Sequence, residues 1–305
     1  MPKLLPGDAD ILPPSYDFIF KTLLVHPDAK PALIDIASGI IERTVKDVVV
    51  RNNELPATDT EEKAERLDVN CVVDDGDQVD IEMHGEHIEE PVPGKHISLT
   101  NKSIYYLTDL HSSQKSKGVP YSKLVRTYQA TFCSYTVYPN YPDFITRASL
   151  RRSNGEEISD QINFILVELS KLGELLKKPT DKLTSIEAWS LFFRYAPDVK
   201  QRVLVNRLIE ERSEIAVAGA LLMEISQDER ERARIRSRRM YETDQQSNIL
   251  TAEARGESRG IALGETRGRD LEAQEMIRNM KKAGVPIDMI IKSAPRYSVS
   301  EIEEM

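Results

Sequence analysis

The chain is short of the residues that mark secreted, metal-stapled or membrane-spanning proteins. Two cysteines, Cys71 and Cys133, stand among 305 residues, too few for a disulfide framework or a thiolate zinc cage. Two lone thiols suit a reducing cytoplasm. No apolar run reaches the roughly 18 residues that a membrane-spanning helix needs. The opening MPKLLPGDADILPP lacks the basic segment and following apolar stretch of a secretion signal. An excess of positive charge is also missing: 41 Lys and Arg face 50 Asp and Glu, a formal charge of −9. That argues against gripping nucleic acid by bulk electrostatics, which needs clustered cations to release counterions. It leaves room for a locally basic face beside an acidic site. Hydrophobic residues make up 40% and charged residues 30%, the balance of a globular chain with a real core, in one large domain or two.

Apolar spacing predicts a helix over 15–25 with Ser15 as its N-cap, and a second helix through PALIDIASGII after Pro27 and Asp28. A short strand follows at 45–51 (VKDVVVR), then a polar stretch. The segment ERLDVNCVVDDGDQVDIEMH alternates on both sides of a turn signal, so it reads as a β-hairpin. Leu67, Val69, Cys71 and Val73 share one face with Val79, Ile81 and Met83, while Asp68 and Asn70 lie on the face of Asp80, Glu82 and His84. A two-residue turn would set polar Asp68 against apolar Met83. A three-residue loop, Asp75-Gly76-Asp77, sets Asp68 against His84 with Glu82 beside them and satisfies both faces, so it is the expected register.

Residues 101–118 form an amphipathic helix with Gly118 as its C′ residue. Strand-like runs near 124–137, 143–151 and 161–169 then complete a mixed sheet flanked by helices. Residues 184–240 read as helical, with the single Trp at 189 and a charged helix at 229–239. Gly256, Gly260, Gly264 and Gly268 recur among charged residues, and glycine weakens helices. The expected organisation is a core over 1–170, a helical extension over 171–245, a flexible or weakly helical linker over 246–270, and a tail over 271–305 of two short helices broken at Gly284-Val285-Pro286.

Hydrolysis of a phosphodiester with a metal needs carboxylates that hold a hard divalent cation and a polar group that orients or deprotonates water. A hairpin with Asp68 on one strand and Glu82-x-His84 on the next supplies these on one face. The competing account is a solvated polar face of a half-buried hairpin, which is common. His84 and His87 lack further partners for a four-ligand zinc site.

The segments DFIFKTLL, RLDVNCVVDDG, VDIEMH, KSIYYLTDL and KGVPYSKLVRTY resemble, in order and spacing, the Rpn group of recombination-promoting nucleases, transposase-like proteins of the PD-(D/E)XK superfamily. The resemblance spans most of residues 15–240. It implies an α/β fold, the restriction-endonuclease-like mixed sheet with flanking helices. It implies a metal-dependent DNA endonuclease that uses Mg²⁺, or Mn²⁺ in its place, in recombination or mobile-element traffic. Asp68 falls on the family's metal-binding aspartate and Glu82 on its second acidic ligand. His84 stands where members carry Gln and wider relatives Lys, and can position water, act as base or ligate metal. Lys102 stands where Arg is common. Asp17 and Lys21 match a D-x-x-F-K pattern, with Phe20 as its aromatic, and would support the site as an additional ligand and a catalytic side chain; the competing account is a surface i,i+4 ion pair. Glu54 matches a weaker position. Of Tyr105 and Tyr106, one is expected in the core and the other at the site. Lys102, Arg147 and Arg151 are candidate DNA contacts. Two other readings remain: the same fold with a decayed site, binding a partner or a second copy of itself through the helical C-terminal half, and a DNA-binding regulator working through the C-terminal helices.

Overall fold

The structure, a computed structural model, describes residues 2–51, 69–74, 76–85, 95–114 and 120–304. Contacts divide the chain into two compact units, Met1–Ala233 and Arg234–Met305.

The first unit is built on a six-stranded sheet of β1 (Val48–Val50), β2 (Val69–Val73), β3 (Gln78–His84), β4 (Thr127–Cys133), β5 (Ile145–Arg151) and β6 (Glu157–Glu168), in the order β1-β2-β3-β4-β6-β5. β3, β4 and β6 run parallel and the other pairs are antiparallel, so the mixed sheet expected from the sequence is present. The parallel centre is buried on both faces: every residue of β4 is buried, including Thr127, Gln129 and Thr131. Such strands need helices on both sides.

One face carries α1 (Asp17–Val25), α2 (Lys30–Ile41) and the later helices α4 (Ser185–Tyr195), α5 (Arg202–Glu211) and α6 (Ser213–Gln227). Aromatic rings centre this layer: Phe20 of α1 lies 6.1 Å from Phe132 of β4 and 5.2 Å from Phe193 of α4. Trp189, wholly buried, stacks against Phe192 and Phe193. Its indole N–H donates to Asp35 of α2 at 2.8 Å, and Ser185 donates to the other oxygen of that carboxylate at 2.7 Å. Thr184 and Glu187 cap α4 reciprocally, satisfying N–H groups that the first turn otherwise leaves open. The N-terminal segment is tied to this layer across some two hundred residues of sequence. Asn206 exchanges two hydrogen bonds with the backbone of Leu5, and Ser226 accepts from Leu12 N–H.

The opposite face is covered by α3 (Lys95–Ser112), whose Ser103 meets Thr131 at 3.0 Å. Its last turn is held on β4 by His111 Nδ1 and Gln114, each 2.9 Å from Thr127 Oγ1. Burial holds His111 below its ordinary value of 6.5. The unfolded chain therefore binds this proton at higher pH than the folded one, and the histidine's contribution is complete above about pH 6.5 and lost on acidification. Urea midpoints should fall between pH 7 and 5, and a His111→Gln variant should show a flatter dependence in that window. Identical profiles for the two proteins would remove His111 as the cause.

Several local expectations shift. The first helix begins at Asp17, with Tyr16 rather than Ser15 at the N-cap and no side-chain cap. The helix over 101–118 starts earlier, at Lys95, and ends at Ser112, where the hold on Thr127 turns the chain into β4; Gly118 lies outside the described residues. The hairpin keeps its expected faces but slips by two residues: Val69 pairs with Ile81, not Met83. Gly76, at φ +86°, takes the left-handed seat as the last turn residue, and Val73 N–H bonds to Asp77 O. Asp77 is drawn out of the loop by Arg43, at 2.8 Å, and by the Arg126 N–H, at 3.2 Å.

The second unit comprises the later part of α7 (Glu229–Lys282), α8 (Ile287–Ser293) and α9 (Val299–Glu304) around Ile277, Ile290, Ala294 and Ile302. Gly284, at φ +77°, ends α7, and Pro286 opens α8. A second break at 294–298 makes three helical pieces of the stretch where two are expected. Gly256, Gly260, Gly264 and Gly268 all fall within α7. No described helix is long and apolar enough to cross a membrane.

Candidate active site

The polar face of the hairpin decides between its two accounts. A solvated face would expose Asn70, Gln78, Asp80 and Glu82, yet the most exposed of them, Gln78, shows only 7% of its surface. These residues lie on the side of the sheet that α3 covers, since Glu82 is in register with Thr131 and Thr131 bonds Ser103. Withdrawing a carboxylate from water costs several kcal/mol unless charge and hydrogen bonds replace the solvent.

For Glu82 the replacements are visible. His84 Nε2 lies 3.2 Å from Glu82 Oε2, and Lys102 Nζ lies 3.4 Å from the same oxygen and 3.4 Å from His84 Nε2. Three titratable atoms thus form a small triangle at the C-terminal end of β3. Nε2 can donate to the carboxylate when protonated and accept from the ammonium when neutral, so a proton has short paths among the three. The carboxylate is 3% exposed, while His84 and Lys102 reach solvent at 26% and 41%. The buried acid therefore faces an open side. Tyr106 lies beneath, with Lys102 Nζ 5.0 Å from its ring centre. This i,i+4 pair on α3 holds the cation by its ring quadrupole. Tyr106 is the buried tyrosine of the pair and Tyr105 the exposed one, at 54%.

Lys102, expected only as a DNA contact, proves to stand inside the cluster. Its i,i+4 spacing to Tyr106 was the available signal, but nothing local ties that helix face to Glu82. The burial of Asp80 and Gln129, both fully enclosed and adjacent across β3 and β4, also escaped sequence reasoning.

Other expected site residues fall in different places. Asp68 and Glu54 lie outside the described residues; in the sequence Asp68 immediately precedes Val69, and Val69 pairs with Ile81, the residue before Glu82. Asp17 opens α1 and accepts the Phe18 N–H on Oδ1 at 2.5 Å, with Lys21 one turn on. Gly85 sets where that helix starts. A Cβ at this position would lie 2.3 Å from the Ser15 carbonyl oxygen, so the backbone before α1 rests directly on the end of β3. Gly85→Ala is expected to cost at least about 1–3 kcal/mol, the range for forced overpacking, and to displace the start of α1. Urea unfolding measures it, and parental stability would show that the two backbones are not in contact.

Arg147 and Arg151 are not part of the cluster. Both belong to β5, three strands from β3 and therefore about 14 Å away at ordinary strand spacing. Arg147 donates to the carbonyls of Ile40 (2.7 Å) and Gly39 (3.0 Å) and pairs with Glu42, closing the last turn of α2, where Glu42 is left-handed at φ +60°. Arg151 is spent on Ser149, Gly155 and Glu157.

A divalent cation of the kind the resemblance implies prefers oxygen donors. Among the described residues no three carboxylate, imidazole or thiolate groups converge. They supply one corner of such a site: Glu82, a buried carboxylate already surrounded by positive or proton-bearing groups, with an imidazole alongside. That donor set fits the ion once a second carboxylate joins it.

The profile of the family described as PD-(D/E)XK nuclease family transposase matches residues 14–252. No curated protein and no solved structure gives a significant match.

Proposed function

Because the chain belongs to the PD-(D/E)XK nuclease family transposases, we propose that it is a metal-dependent DNA endonuclease cutting phosphodiester bonds in recombination or mobile-element traffic. The observation that carries this reading is the burial of Glu82 against His84 and Lys102. A surface hairpin has no use for that arrangement, whereas a reacting carboxylate does.

In this reading Asp68 and Glu82 hold Mg²⁺, or Mn²⁺ in its place, with Asp17 as an additional carboxylate from α1. When bound, the ion supplies positive charge to a phosphate oxygen and acidifies its water. Every other role falls to side chains. His84 orients the attacking water and takes its proton on Nδ1. Its Nε2–H donates to Glu82 across 3.2 Å, so that the ionised carboxylate stabilises the imidazolium that forms. Lys102, partly exposed, faces the non-bridging phosphate oxygens. Lys21 braces the α1 side. Arg147 and Arg151 are assigned to holding α2 and the β5 turn rather than to the strand being cut.

The test is incubation of the purified protein with supercoiled and linear DNA in Mg²⁺, Mn²⁺ or EDTA, beside Asp68→Ala. Metal-dependent nicking that the variant loses is the expected result. A folded protein that cuts nothing under any metal, and whose metal affinity is indifferent to Asp68, would instead support the same fold serving as an interaction module.

A further inference from the structure

Beyond the end of β4, residues 136–141 and Thr146 of β5 wall a cleft of about 760 Å³. Its Thr146 lies level with Glu82 on the same face of the sheet, three strands away. Thr146 is in register with Leu166, Leu166 with Thr131, and Thr131 with Glu82. The loop that forms the wall leaves β4 beside the end of β3, where Ser134 N–H donates to the His84 carbonyl at 3.0 Å. Tyr138 Oη reaches Thr100 Oγ1 of α3 at 2.9 Å, two residues before Lys102.

A buried ion pair shapes this wall. Glu168, with no exposed surface, accepts the N–H groups of Val137 (2.6 Å) and Tyr138 (3.0 Å) on one oxygen and Lys171 Nζ (2.6 Å) on the other. Lys171 also donates to the carbonyls of Tyr138 and Tyr141, at 2.8 and 2.7 Å. Buried ion pairs rarely add net stability. Here the remaining hydrogen bonds of both partners go to the loop backbone, so the pair fixes the shape of the cleft in advance of any ligand.

The lining defines the ligand. Tyr138, Tyr141 and Pro139 offer flat apolar surface, and the Asn140 amide offers a neutral hydrogen-bonding group, while the Thr136 hydroxyl is already engaged by Ser170 at 2.8 Å. The cation at the wall, Lys171, already has three oxygen partners, so the cleft is unsuited to a phosphate. A planar heteroaromatic group with a polar edge fits, and beside a nuclease centre that group is a nucleobase. Paired, stacked bases do not present themselves to such a cleft; unstacked ones do. Resting on the nuclease reading above, we propose that the cleft takes one unstacked base of the strand cut at Glu82, His84 and Lys102, so that the preferred substrate is single-stranded or opened at the cut.

The experiment scans single-stranded oligonucleotides carrying one 2-aminopurine or one abasic position, with binding read in EDTA and cleavage in Mg²⁺. One position near the cut should change 2-aminopurine fluorescence on binding. An abasic site there should weaken binding about 10-fold, within the range for one lost base–aromatic stack. Tyr141→Ala, at a residue already 43% exposed, should reproduce that loss and remove the fluorescence response, while Tyr141→Phe keeps both. Cleavage that tolerates an abasic site everywhere would overturn the base subsite and leave the nuclease standing. Loss of both binding and cleavage with every oligonucleotide, while supercoiled DNA is still nicked, would overturn the base subsite alone, and loss on supercoiled DNA as well would overturn both. A free nucleoside monophosphate that occupies the cleft without competing with the strand would assign it to a separate nucleotide ligand and overturn the proposal.

Discussion

Replacing Glu82 with Gln is expected to lower metal-dependent strand cleavage by on the order of 10³-fold or more, the scale seen when one member of a catalytic group is removed, with little change in fold. The amide keeps the volume of the side chain and can still accept from Lys102, now 3.4 Å away, but it loses the charge that holds a divalent ion. Stability should change little because the variant also escapes the cost of a buried carboxylate, which for Glu82 is 3% exposed. A readout independent of activity accompanies the assay. Mn²⁺ should raise the melting temperature of the parent, as any ligand of the folded state does, and leave the variant's unmoved. A Glu82→Gln protein that cuts at the parental rate would move the chemistry elsewhere.

The largest expected loss of stability is at Trp189. Its ring is fully buried among Phe192 and Phe193, with its N–H on Asp35. Trp189→Ala should cost about 3–5 kcal/mol, the range for removing a buried aromatic, and it also strips the Asp35 carboxylate of a donor. Trp189→Phe retains most of the apolar surface and loses mainly that hydrogen bond, an effect of about 1 kcal/mol. Urea midpoints separate the two variants. An Ala variant within 1 kcal/mol of the parent would contradict the packing described for α2 and α4.

How far the molecule could be read in advance follows from the range of the interactions involved. The hairpin faces were legible because side chains alternate strictly along a strand: Val69, Cys71, Val79 and Ile81 point one way and Asn70, Asp80 and Glu82 the other. The register was not. It turned on whether Gly76 or Asp77 closes the loop, and Arg43 and Arg126, from distant segments, draw Asp77 into the strand end. The helical C-terminal half of the first unit was evident from apolar spacing, whereas the sealing of that half by Leu5 and Leu12 depends on Asn206 and Ser226, side chains some two hundred residues away.

By itself the sequence determined the family, the α/β mixed sheet and the placing of Glu82 and His84 on one face of one strand. Each depends on local period or on motifs read in order. Only the tertiary structure decided that this face is buried under α3 rather than solvated, that Lys102 completes the cluster while Arg147 closes α2, and that Gly85 seats the start of α1. Those outcomes rest on contacts between residues far apart in the chain, and packing settles them because an enclosed charge must find its partner wherever the fold brings one.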